Sequence, residues 1–224
     1  MANAVEQVNA VAITSIEAIN GKTDANIQAF NGLEFTGALP DAHTLIATAT
    51  ASSSATLEFT SGIDSTFDVF EWHFVNMHPQ TNGKNFGFQV NAAGESGFNE
   101  TITSTHFRTY HTEAGGGGSL EYYAANDQSQ GTAYNLLQEW VGSTDGTVDD
   151  NGVSGILTLY APSSTTYVKH FMATTSSMYD AAALYNGYTA GYINTTAAID
   201  EISFNMNSGN IDTGVVRMYG IAKS

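Results

Sequence analysis

The sequence predicts an all-β protein, a jelly-roll-like antiparallel β-sandwich preceded by a short N-terminal anchoring arm. Three observations carry this. Between Leu57 and Ile221, aromatic and β-branched residues alternate with polar ones, the period-2 pattern of strands with one buried face. Clusters of Gly, Asn, Asp and Ser interrupt that alternation at short intervals, the turn punctuation of a sandwich. The first forty residues keep a different rhythm, with a period of eleven.

In residues 1–40, Val8-Asn9-Ala10, Ile19-Asn20-Gly21 and Phe30-Asn31-Gly32 recur every eleven residues, and Ile16 and Ile27 keep the same spacing. Asn-Gly marks a turn, so the segment reads as short extended or coiled units joined by turns. A helix over 4–18 is the alternative, because Val5, Val8, Ala12, Ile16 and Ile19 fit a helical stripe. Three units are too few to bury a core of their own. The segment is then either a tail lying on the surface or an anchoring arm. In the second reading, which we take as the expectation, Val8, Ile16, Ile19, Ile27 and Phe30 pack on a partner or on copies of the chain. Leu39-Pro40-Asp41 closes the arm, and residues 41–56, with a Ser/Thr/Ala run over 47–55, form an edge strand or a linker.

The sandwich is expected over 57–224. Leu57–Thr60 is a short strand and Ser61–Ser65 a turn. Phe67–Met77 is the clearest strand, with Phe70, Trp72 and Phe74 on one face. Thr81-Asn82-Gly83-Lys84 reads as a hairpin turn, and Phe86, Phe88 and Val90 alternate in the returning strand. Strands follow at Ile102–Tyr110 and Leu120–Tyr123, separated by the flexible loop Gly115–Gly118. Tyr134–Val141 fits a short helix or a strand. Later strands are Gly155–Tyr160, Thr166–Ala173, Tyr188–Ile193, Ile199–Met206 and Val215–Ile221.

Composition narrows the function classes. The 224 residues suffice for one all-β domain plus a small extra element, and 42% hydrophobic residues allow a sizeable core. Charged residues are only 12%, against about a quarter in ordinary domains. Twenty-two acidic residues face six basic ones, a net charge of -16, which disfavours nucleic-acid partners and anionic membranes. There is no cysteine, hence no disulfide, and stability must come from core burial, with oligomerisation as an optional addition. No apolar run is long enough to span a bilayer as a helix. The start Met1-Ala2-Asn3-Ala4-Val5-Glu6 lacks the basic and apolar regions of a signal peptide, so synthesis in a cytoplasm without export by that route is expected.

Motifs for chemistry are sparse, and no enzyme, cofactor or metal is expected. Asp145–Gly152 is the best calcium candidate, with Asp149, Asn151 and Gly152 at three key positions, but Thr147 stands first and Thr158 replaces the closing Glu. A solvated turn is the plainer reading. The six histidines are scattered without zinc-site spacing. Glu58, Glu71, Glu121, Glu139 and Glu201 lie in or near strands, yet no local motif pairs two of them as a glycosidase requires. Tyr122, Tyr123, Tyr185 and Tyr188, with Tyr110 and Tyr192, could form a sugar-stacking platform; core or interface packing explains them as well.

Four segments carry a resemblance. They are 61–70 (Ser61-Gly62-Ile63-Asp64 onward), 162–171 (Pro162 to Phe171), 190–200 (Ala190 to Asp200) and 208–214 leading into Val216-Arg217-Met218-Tyr219-Gly220. Together they resemble a β-rich domain of virion proteins of tailed, often marine, bacteriophages, over about residues 57–222. The resemblance implies a structural virion protein, a capsid decoration (cement) protein or a short tail-fibre-like appendage, made in the bacterial host cytoplasm and displayed on the virion surface. It implies other capsid or tail proteins as partners, and self-association, for which a homotrimer is the expectation. The alternative it leaves is a receptor-binding, lectin-like module of a tail fibre or tail tip that attaches to host surface polysaccharide.

Overall fold

The computed structural model describes residues 43–143, 151–179 and 182–221 in full, and the backbone of six two-residue strands between 7 and 34. The chain divides into two compact units, 1–41 and 42–224.

The first unit holds three antiparallel hairpins. β1 (Gln7–Val8) pairs with β2 (Val11–Ala12), β3 (Ala18–Ile19) with β4 (Lys22–Thr23), and β5 (Ala29–Phe30) with β6 (Leu33–Glu34). Each hairpin repeats the last at a spacing of eleven, and the two residues between paired strands are Asn9-Ala10, Asn20-Gly21 and Asn31-Gly32. Asn-Gly, present between the strands of the second and third hairpins, is the pair that two-residue hairpin connections favour. Strands at 7–8 and 11–12 replace the alternative of a helix over 4–18. Val8, Ile19 and Phe30 occupy equivalent positions, each paired across its turn, with Val11, Lys22 and Leu33. Ile16 and Ile27 lie outside the described residues.

The second unit is an antiparallel sandwich of two sheets. The larger has eight strands in the order β12-β11-β16-β15-β14-β9-β18-β7 and the smaller four, β13-β10-β17-β8. Their ranges are β7 His43–Ser54, β8 Thr56–Phe59, β9 Val69–Pro79, β10 Lys84–Ala92, β11 Ile102–Thr112 and β12 Ser119–Tyr122. They continue with β13 Asn135–Val141, β14 Gly152–Tyr160, β15 Lys169–Tyr179, β16 Ala183–Ile193, β17 Ile199–Met206 and β18 Ile211–Ile221. Residues 43–54 are thus the outer strand of the large sheet. Tyr134–Val141 resolves as a strand, and β15 and β16 are longer than the alternation alone marks. The antiparallel sandwich agrees with the sequence; its division into eight and four is a further feature of this chain.

One connection differs from expectation. Thr81–Lys84 is not a hairpin turn, because β9 pairs with β14 and β18, whereas β10 pairs with β13 and β17. The segment arches from one sheet to the other. Both strands carry an aromatic stripe, and placing them in opposite sheets packs one stripe against the other, with the Phe74 and Phe86 ring centroids 5.0 Å apart.

That stripe builds the core. Phe70, Trp72 and Phe74 point inward from β9, Phe86, Phe88 and Val90 from β10, and Ile202, Phe204 and Met206 from β17, all nearly inaccessible. Phe204 is the hub, with ring centroids 5.2 Å from Phe74, 6.0 Å from Phe86, 6.3 Å from Phe59 and 6.4 Å from Trp72. Each such ring contributes about 1.5–3 kcal/mol through burial. The other face of β10 is covered too, since Gln89 Nε2 donates to the carbonyls of Glu100, Thr132 and Ala133 at 3.0–3.1 Å. Lys169 Nζ likewise donates to the carbonyls of Thr195 and Ala197, holding the loop before β17.

Candidate functional site

Alternation along β11 divides its side chains between two environments. Ser104, His106 and Arg108 point inward and are buried, whereas Thr105 and Phe107 are exposed on the outer face of the large sheet. The same parity operates in β16, where Tyr185 and Thr189 face inward and Leu184 and Tyr188 outward.

The inward set centres on Arg108. Its Nε and Nη2 donate to Glu121 Oε2 at 3.0 and 2.9 Å, and its Nη1 donates to Glu139 Oε1. Asn126 Nδ2 donates to the second oxygen of Glu139 at 3.1 Å. The guanidinium carbon lies 4.1 Å from the Tyr123 ring centroid, 5.1 Å from Trp140 and 5.6 Å from Tyr185. Burial pulls the Arg108 pKa down, but the hydrogen bonds to Glu139 and Glu121 outweigh it and leave the pKa above its ordinary value. The same Arg108 contact lowers the Glu121 carboxyl. Burial raises the Tyr185 hydroxyl. The cluster ties the 123–126 turn and β13 of the small sheet to β11 and β12 of the large one.

Two details mark this end of the sandwich. Trp140 sits in the left-handed region at φ 52°, a conformation that costs a bulky side chain about 1–2 kcal/mol. His106 is fully buried; its Nδ1 is 2.8 Å from Thr189 Oγ1, and its Nε2 has no partner. Burial holds its pKa below the usual 6.5.

The outward set is a sheet face of a different kind. Tyr122 opposes Phe107, and Phe107 opposes Tyr188. The Phe107 and Tyr188 rings stack at 4.8 Å and 9°. The Tyr122 hydroxyl donates to Asp127, which raises its pKa. Across β14, β15 and β16 lies a shallow open groove of about 520 Å³ over Ile156 and Met172, rimmed by Ser154, Thr158, Thr174 and Asn186. At the groove's β9 side, His43 Nε2 and His73 Nε2 lie 3.2 and 2.9 Å from the same oxygen of Glu71, with the Tyr219 ring 4.7 Å from that of His73.

The proposed sugar platform is therefore divided. Tyr123 and Tyr185 belong to the buried Arg108 cluster, Tyr122 and Tyr188 to the outer face. Of the five carboxylates, Glu121 and Glu139 do meet, but across the Arg108 guanidinium. Glu58 accepts from Thr56 Oγ1 at 2.9 Å and Glu201 from Asn91 Nδ2 at 3.0 Å. In the calcium candidate, residues 144–150 lie outside the described residues; Asn151 Nδ2 donates to the Ser143 carbonyl at 2.9 Å. Among the described residues no group of three His, Asp or Glu has the geometry of a metal site. The sequence reading missed Arg108 and Trp140, and it missed the convergence of His43 and His73 on Glu71. Strand parity alone separates Tyr122 from Tyr123 and Tyr185 from Tyr188.

Compared with models of protein families, with curated proteins and with solved structures, the chain has no match in any of the three.

Proposed function

We propose that this chain is a non-enzymatic structural protein of a larger particle, fastened through residues 1–40 and displaying the sandwich. The observation that carries this is the two-part build. Three hairpins in an eleven-residue register form one unit, and a sandwich with its own aromatic core forms the other. Hairpins of two-residue strands bury little by themselves and gain stability by packing on something else.

The setting comes from the four-segment resemblance, and from that alone. It is the surface of a tailed-bacteriophage virion, where the chain serves as a capsid decoration protein or short appendage and assembles as a homotrimer. The lectin-like alternative draws less support, because its four tyrosines are split between a buried cluster and an outer face.

The test compares the full chain with a variant lacking residues 1–40 in particle assembly. The variant should keep the far-ultraviolet circular dichroism of a β-protein and the aromatic near-ultraviolet signal of the Phe204 core, yet fail to join particles. Normal incorporation of that variant would refute the anchoring role. Light scattering on the purified full chain checks the trimer, which a stable monomer would rule out.

A further inference from the structure

The chain carries 22 acidic residues, but they are unevenly placed. Five neighbouring strands of the large sheet, β11-β16-β15-β14-β9, contain one carboxylate between them, Glu71, and its Oε2 is engaged by two histidines. The basic residues of these strands, Arg108 and Lys169, both point inward and are buried. The outer face is left with Thr, Ser, Asn, His and large apolar side chains.

Those apolar side chains are concentrated there. Every large hydrophobic residue exposed in the described chain belongs to the outer face of the eight-stranded sheet, except Trp140 and Tyr167. Leu120 is 71% exposed, Tyr122 65% and Met172 58%. Loss of charge with enrichment in aromatics and Met is the composition of an interface centre, not of an ordinary solvated face.

We propose that this outer face is where two copies of the chain meet. The charge distribution selects that occupant. Two copies at -16 repel each other over most of their surfaces. On this face the one carboxylate, Glu71, is engaged by His43 and His73, so it is the surface on which self-association carries the least electrostatic cost. The size is close to what is needed: the five strands, about 4.8 Å apart and about 30 Å long, present roughly 700 Å², and Leu120 and Tyr122 of the adjoining β12 bring this near the ~800 Å² per partner of a standard interface. The groove over Ile156 and Met172 accepts protruding side chains of the facing sheet, and its Ser and Thr rim supplies hydrogen bonds. A polysaccharide is the weaker fit, because Phe107 and Tyr188 stack on each other and Glu71 is engaged by histidines.

The proposal rests on the assembly reading and adds a second contact to it: like faces pair two by two, so this surface joins sandwiches in pairs and the proposed trimer is held elsewhere, by residues 1–40. Sedimentation velocity on the full chain over a range of concentrations tests it, with Met172→Glu and Ile156→Glu as face variants and Tyr167→Glu as an exposed apolar control off the face. All three sites are at least 40% exposed, so the monomer fold tolerates the charge; thermal melts verify that. Wild type and Tyr167→Glu should self-associate, and each face variant should weaken association by about 100-fold or more. A wild-type chain that stays monomeric overturns the proposal. Face variants that associate like wild type overturn it as well, while leaving assembly through the arm intact. A monomeric wild type that binds host polysaccharide, with binding lost in Met172→Glu, overturns it in favour of a saccharide surface. Failure of the anchoring reading has a separate signature: arm-deleted chain joins particles normally, whatever the face variants do.

Discussion

Replacing Arg108 by Met removes the one cation that Glu139 contacts inside the sandwich edge. Glu139 is 2% exposed, and it would keep only the 3.1 Å hydrogen bond from Asn126. A buried charge stripped of its partner costs about 3–5 kcal/mol. Loss of the guanidinium over Tyr123 acts in the same direction. Glu121 lies at the surface and water replaces its contact, so it adds little. For a domain of this size each kcal/mol corresponds to about 2–4 °C, so the melting temperature should fall by about 6–20 °C. Glu139→Gln alone leaves Arg108 on Glu121 and should cost less. The double variant removes both buried charges, and it should recover at least about 2 kcal/mol relative to the sum of the single changes. Urea denaturation of the four proteins measures this cycle. An Arg108→Met cost under about 1 kcal/mol, or strict additivity, would show that the ion pair does not brace this edge.

Two further outcomes are expected. His106 is held neutral by burial, so its folded pKa lies below the unfolded value of 6.5, and His78 is shifted the same way for the same reason. Below pH 6.5 the unfolded chain binds protons that the folded chain does not, so stability should fall as pH drops through 6.5 and level off above it. His106→Gln should reduce that slope and His78 should supply the remainder; an unchanged slope in urea midpoints between pH 5 and 7.5 would contradict this. Gly191→Ala would place its Cβ 2.3 Å from the Thr103 carbonyl and 2.8 Å from Phe171 Cζ. Since a backbone oxygen cannot swing aside, we expect a loss of about 2 kcal/mol or more, and a neutral substitution would refute so close an approach of β11 to β16.

The strands were legible wherever alternation was strong. Phe70, Trp72 and Phe74 fall inward as their spacing requires, and Ile199–Met206 matches to the residue. Alternation does not say which strand pairs with which. An Asn-Gly turn between two amphipathic strands serves a hairpin or an arch equally, and only the competition for aromatic burial among β9, β10 and β17 decides it. Tyr134–Val141 stayed ambiguous because Leu137 and Val141, four apart, share one face of a helix and of a strand alike. The candidate site was less legible. Arg108 meets Glu121 and Glu139 at separations of 13 and 31 residues, which no local motif records. One signal was available: a basic residue on the inward parity of a strand must find buried acceptors, which are carboxylates for Arg108 and the carbonyls of Thr195 and Ala197 for Lys169.

β18 lies between β9 and β7, and so the last of the strands in chain order joins two that are made long before it. During synthesis, residues 43–54 and 69–79 are exposed to solvent with unfilled edges until 211–221 have left the ribosome. The large sheet cannot be completed piecemeal from the N-terminal side. A chain cut short before residue 211 would present two sticky strand edges at once. Such a chain should aggregate or be degraded, so β18 is the strand on which completion of the large sheet waits.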